Sequence, residues 1–144
     1  ANVDDGIEFF GGTVNASNLL VWGQGDDAID IDQAYAGTID GAMVILTDAS
    51  DHGFEIDGPE GSAAGSFTLK NATVLGATKA CSALGVNGEM ADFRKAATGD
   101  LSNILFKDFS GGKDVELDAS ADAASYTAGT LTFANIDIMH PVND

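Results

Sequence analysis

Cysteine is nearly missing from this chain of 144 residues: Cys81 stands alone, so no disulfide closes within it. Proline is almost as scarce, at two, while glycine is common at 18, a balance that suits tight turns joining short strands. Cations are few. Six Lys and Arg face 23 Asp and Glu, for a formal net charge of −17. A nucleic-acid-binding face needs clustered basic residues and is excluded, and an anionic membrane surface is disfavoured for the same reason. The longest purely apolar run, Ala42 to Leu46, is far too short to cross a bilayer, so no membrane insertion is expected. No basic segment leading into an apolar stretch follows Ala1, so no signal peptide is visible. A chain that begins at Ala rather than Met is expected to be a processed protein or an excised segment. The partners this charge favours are cations, neutral polymers and other protein surfaces.

What is present is a repeat. Apolar residues make up 44% of the chain, enough for a core, and 144 residues read as one domain, 1–144. The stretch Gly25 to Leu46 holds the unit: an acidic turn (Asp26, Asp27), then the alternating strand Ala28-Ile29-Asp30-Ile31-Asp32, then Gly37 and two further apolar runs. Matching strands are Gly6 to Phe10, Gly53 to Asp57, Met90 to Arg94 and Asp114 to Asp118. Their central acids fall at 8, 30, 55, 92 and 116, spaced 22, 25, 37 and 24 residues apart. Each strand leads to a glycine, a small polar or acidic residue and an apolar one: Gly12-Thr13-Val14, Gly37-Thr38-Ile39, Gly65-Ser66-Phe67, Gly99-Asp100-Leu101 and Gly129-Thr130-Leu131. Asn or Asp then opens a third run at Asn18, Asp40, Asn71, Asn103 and Asn135. A period in the low twenties with three short strands is the signature of a solenoid. Length varies mainly between the first strand and its glycine, which places insertions at one corner. The long spacing of 37 comes from residues 76–88, an insertion whose middle, Ala77 to Leu84, predicts one or two helical turns.

This pattern of repeats, turn asparagines and inward apolar ladders resembles the right-handed parallel β-helix of the pectate-lyase-like superfamily, common among secreted bacterial proteins. The resemblance spans roughly Asp4 to Ile138 and is specific for fold, not for activity. It implies an all-β, right-handed parallel β-helix (β-solenoid) of about five coils of three short strands, outside the cell or on a bacterial cell surface. Such folds commonly carry a helix over the first coil, and here the first coil begins by Asp5. That end is therefore expected to meet further coils of a longer chain or another copy, end to end.

Alternation turns Ile7, Phe9, Ile29, Ile31, Phe54, Ile56, Ala91, Phe93, Val115 and Leu117 inward and Glu8, Asp30, Glu55, Asp92 and Glu116 outward. Coils stack about 4.8 Å apart, so the five acids form a carboxylate ladder on one flat face. Two carboxylates at about 5 Å repel by roughly 1 kcal/mol in water and about 3 at a dielectric of 20. Side chains must splay, protonate or bind cations. Calcium takes several oxygen ligands, and Asp26, Asp27, Asp30, Asp32, Glu55 and Asp57 are the candidate set for Ca2+. The plain alternative is a solvated face that keeps the molecule soluble. No EF-hand spacing and no glycine-aspartate nonapeptide is present.

Catalytic signals are weak, and an enzyme is not the favoured reading. Polygalacturonase-like enzymes of this fold carry Asn-Thr-Asp, Asp-Asp, Gly-His-Gly and Arg-Ile-Lys motifs, of which only Asp26-Asp27 occurs here. Arg94, with Lys95, is the one basic site on the ladder face, and its expected role is neutralising Asp92, Asp57 and Asp118. His52 reads as a polar turn residue, and His140 has no partner in sequence. Trp22, Tyr35 and Phe10 would make a sugar-stacking platform if exposed, although Trp22 reads as a core or corner residue. The favoured function is a non-catalytic module for adhesion or self-assembly into filament or matrix, with Ca2+ as its candidate stabiliser. The alternative is a carbohydrate-active module that binds or cleaves a polysaccharide along the first-strand face.

Overall fold

A computed structural model of the chain describes residues 3–76, 89–109 and 114–139. Ten strands and one helix follow one another as β1 (Ile7–Phe10), β2 (Ala16–Trp22), β3 (Ile29–Asp32), β4 (Thr38–Ile45), β5 (Phe54–Asp57), β6 (Phe67–Leu75), β7 (Ala91–Arg94), β8 (Gly99–Lys107), β9 (Val115–Leu117), α1 (Ser120–Ala128) and β10 (Leu131–Met139). The odd strands form one parallel sheet in the order β1-β3-β5-β7-β9, and the even strands form a second in the order β10-β8-β6-β4-β2. The chain alternates between two facing sheets, so each strand pairs with the strand one repeat away.

The inward alternation holds. Ile29, Ile31, Phe54, Ile56, Ala91 and Phe93 are buried, and Ile29 stacks on Phe54 as Ile31 stacks on Ile56. The second sheet contributes Ile39, Val44, Leu69, Val74, Leu101 and Phe106 to the same core. Phe54 meets Phe106 edge-on at 5.7 Å, and Phe93 meets Phe133 the same way at 5.1 Å. A parallel sheet buried on its inner face explains the dense Ile, Val and Leu content of these runs.

Three expectations change. The second and third apolar runs are one strand, bent at a single left-handed residue: Asn18 (φ 55°), Gly41 (φ 89°), Asn71 (φ 60°), Asn103 (φ 56°) and Asn135 (φ 54°). Each repeat therefore carries two strands, not three. Asn tolerates this backbone because its short side chain hydrogen-bonds locally, and Gly41 replaces it where Asp40 was expected to open the run. The second runs also slip against the sequence alignment: Ile39 pairs with Ala16 and Leu69, while Phe67 and Leu131 pair with Gly99. A slip of two residues keeps every side chain on its expected side, so the core prediction survives it.

The corner between β9 and β10 holds α1, which takes up the longest of the described corner insertions. Asp122 is fully buried; its carboxylate accepts from the Ala119 amide at 3.1 Å and from Ala97 at 3.3 Å, while Gly129 closes the helix at φ 73°. The helical turns expected at Ala77 to Leu84 lie outside the described residues.

Candidate functional site

The central acids fall into register as expected, Glu8 beside Asp30, Asp30 beside Glu55, Glu55 beside Asp92 and Asp92 beside Glu116. The turns entering the strands add a second row. The Asp27 amide donates to the Asp5 carboxylate at 3.2 Å, and the His52 amide to Asp27 at 2.9 Å. A turn acid thus accepts the backbone donor one repeat on, which explains why Asp recurs there.

The ladder is not the solvated flat face anticipated from alternation alone. Asp30, Asp57 and Asp92 are buried, as are Asp27 and His52. His52 is no surface turn residue: its Nδ1 lies 2.6 Å from Asp27 and 3.6 Å from Glu55, and its Nε2 lies 3.4 Å from Glu89. Burial opposes its charge, but the hydrogen bond to Asp27 and the charges of Asp27, Asp51 and Glu55 prevail and lift it to about 9. Arg94 forks onto Asp57 through Nε at 2.6 Å and Nη2 at 3.0 Å and reaches Glu55 with the same Nη2. Lys95 bonds Asp57 at 2.6 Å and Glu60 at 2.7 Å. Burial would raise the Asp57 carboxyl, yet Arg94 and Lys95 hold it below the usual range. Glu55 goes the other way: burial and Asp27 push it up to about 8 against the pull of Arg94.

The proposed ligands therefore divide. Glu55 and Asp57 are engaged by Arg94 in a separate ion-pair network. Asp26 sits with Asp4 and Asp5, and Asp27 with Asp51 and His52. Asp30 and Asp32 converge with Glu8, a residue absent from the expected set, with one oxygen of each within 4.8 Å of the others. Here the balance of charge fails. Asp30 is 7% exposed, its Oδ1 has no hydrogen-bond partner among the described residues, and Oδ1 of Asp32 shares that state. Burial, with Asp5, Asp32, Asp27 and Asp57 nearby, pushes Asp30 up to about 8. A carboxylate in this position takes a proton or a cation.

One hollow opens at the β9/β10 end and two lie along the second sheet, and these three are lined by no ladder acid. Of the aromatic trio, Tyr35 is buried, with its hydroxyl donating to the Val14 carbonyl at 2.6 Å, while Trp22 is 76% exposed and Phe10 65%. Of the core or corner position expected for Trp22, the core half fails: it ends β2 beside the turn at Gly23, on the outward side and one step from buried Val21.

A family model described as a pectate-lyase like beta helix domain matches residues 1–143, and the chain belongs to that family. No curated protein and no solved structure gave a significant match. Among the described residues, no helix is long and apolar enough to cross a membrane.

Proposed function

We propose that this pectate-lyase like β-helix protein is a non-catalytic module that works outside the cell, on a bacterial surface or in a secreted matrix, by adhesion and self-assembly. One observation carries the reading: on the ladder face, where a substrate would have to meet paired carboxylates, Asp27, Glu55 and Asp57 are already paired with the chain's own His52, Arg94 and Lys95. We assign a right-handed winding of about five coils, since parallel crossovers are right-handed in nearly all sheets.

Assembly has its support at the coil ends. An apolar hollow of about 320 Å3 opens at the β9/β10 end among Leu101, Val115, Leu117, Phe133 and Ile136. At the β1/β2 end Ile7, Ala16 and Leu19 are only half-buried against the core. Another solenoid edge fits either end, whether from a second copy or from further coils, because strands paired in parallel continue the two sheets. Sedimentation of the chain at 1 µM to 1 mM should show mass rising with concentration and with added salt, which screens the −17 charge. A single mass throughout would remove the self-assembly reading. Incubation with polygalacturonate and neutral polysaccharides should release no fragments; release of fragments would favour cleavage along the ladder face instead.

Calcium at Glu8, Asp30 and Asp32 is the cation reading that the geometry supports, as hard oxygen donors converge on a buried, unpartnered carboxylate. At pH 8, calcium should raise the melting temperature and chelator should reverse it. In chelator, Asp30 favours its proton in the fold up to about pH 8, against an ordinary value of 3.8. Its contribution is thus complete in acid and is lost as pH rises through 8. Calcium should help most where that loss is greatest. Replacing Asp30 and Asp32 together by Asn should abolish the calcium shift and flatten the pH slope; a shift that persists would place the ion elsewhere.

A further inference from the structure

The bend of the second sheet carries a feature that the acid ladder does not use. Where each even strand turns at its left-handed residue, the two hollows along this sheet, of about 410 and 290 Å3, share Asn71 and Thr73 and so form one shallow trough. Its floor is the row Asn18, Gly41, Asn71, Asn103 and Asn135. One wall is the outward column Met43, Thr73, Leu105 and Asp137, continued in register on β2 by the exposed Leu20 beyond the hollows. Two residues further along β2 stands the exposed Trp22, followed in its column by Ile45, Leu75 and Lys107.

The chemistry of the trough departs from that of the chain. In a molecule with 23 acids, the floor and wall carry one charge, Asp137, at the far end. The floor amides are chained in one sense: Asn135 donates to Asn103 at 2.9 Å, Asn103 to Asn71 at 2.9 Å, and Asn71 to Asp40 at 2.7 Å. A primary amide has two N–H groups and two lone pairs, so each exposed Asn of this chain keeps a donor and an acceptor for a ligand. The trough therefore offers a neutral amide on four of its five strands, Gly41 being the exception, beside apolar side chains at Leu20, Met43 and Leu105. We propose that it binds a neutral, linear glycan lying along the solenoid axis, with sugar hydroxyls on the amide row and ring C–H faces against Leu20, Met43, Leu105 and Trp22. A sugar unit is about as long as one strand spacing, roughly 4.8 Å, so a periodic site meets a periodic ligand. A nucleic acid or an acidic polysaccharide would meet −17, and the cations beside the trough, Lys70 and Lys107, are already paired with Asp40 and Asp108 at 3.2 Å each. Trp22 at the β2 edge supplies the flat apolar surface on which a sugar ring stacks.

This inference rests on the proposed adhesive role and names its partner class. Trp22 is the only tryptophan, so its fluorescence reports occupancy of this face directly. The probes are β-1,4-linked hexasaccharides and trisaccharides of glucose, xylose and mannose, with hexagalacturonate as the acidic comparator, titrated into the full chain and followed by fluorescence and calorimetry. At least one neutral hexasaccharide should bind and shift the emission, more tightly than its trisaccharide, while hexagalacturonate should not. Met43→Glu and Leu105→Glu, both half-buried on the outer wall, should each weaken binding at least tenfold with the melting temperature kept. Glu55→Gln, on the opposite sheet, should leave it unchanged. No binding of any neutral hexasaccharide at millimolar concentration overturns the glycan site and leaves the assembly reading standing. Binding lost in Glu55→Gln but kept in Met43→Glu moves the ligand to the acid face and overturns it too. Binding at the trough together with cleavage of the sugar keeps the site and overturns the non-catalytic reading.

Discussion

Ile31→Asp should yield no folded protein. Ile31 is 1% exposed and stands between Phe9 of the preceding repeat and Ile56 of the next, so its side chain is a rung of the inner ladder on both sides. A carboxylate there meets no donor, and the backbone cannot turn it outward without moving Asp30 and Asp32 inward. An unpaired buried charge costs several kcal/mol, and the lost aliphatic packing adds about 2–5. The margin of a domain is on the order of 5–15 kcal/mol, so the sum is expected to exhaust it. Circular dichroism and a urea melt of the variant, beside Ile31→Val as the mild control, check the register. Ile31→Val should lose about 0.5–1.5 kcal/mol and remain folded. A soluble Ile31→Asp that melts with the parent would mean that position 31 does not face the core.

Period-2 alternation made the inner face legible from sequence. Ile-Asp-Ile-Asp at 29–32 leaves only one assignment of sides, and the repeated spacing tied five such strands into one sheet. Alternation says which side a residue takes but not what lies over it, so the burial of Asp30, Asp57 and Asp92 could not be read from it. For His52 the local signal was only the neighbouring acids Asp51 and Glu55. Its partner Asp27 is 25 residues away and comes beside it only when the coils stack. The bent second strands were half legible: the asparagines at 18, 71, 103 and 135 marked the bend, but a single left-handed residue joins two runs without ending the strand. Helix α1 did carry a signal that repeat matching passed over. Asp122 lies three residues past Ala119, an alanine-rich run follows, and Gly129 supplies the C-terminal stop. Glu8 was expected beside Asp30 in the ladder but not in the cation set with Asp30 and Asp32, because convergence of all three oxygens depends on side-chain direction, not on spacing.

Arg94→Met should be the most costly substitution outside the core. Asp57 is buried, and of the cations that reach it, Arg94 contributes the two-pronged contact and also spans to Glu55. Removing one partner of a buried pair leaves the other charge without its counter-ion and typically costs about 3–5 kcal/mol. Lys95 still bonds Asp57, so a loss of about 3 kcal/mol at pH 8 is expected. The sign of the pH dependence follows from Asp57. In the parent its carboxyl lies below the ordinary range, so its stabilisation is present above that range and fades as the pH falls through the folded value. Without Arg94 this contribution disappears and burial favours the neutral acid. The deficit of the variant should thus be greatest at pH 8 and shrink toward pH 4, where Glu55 too is already protonated. Adding Asp57→Asn to Arg94→Met removes the stranded charge and should recover part of the loss at pH 8, a coupling of at least about 1 kcal/mol in a double-mutant cycle. Urea melts of the four proteins at pH 4, 6 and 8 measure all of these terms. Arg94→Met that unfolds with the parent at pH 8 would show that the guanidinium is a surface decoration and that the ladder face is held by packing alone.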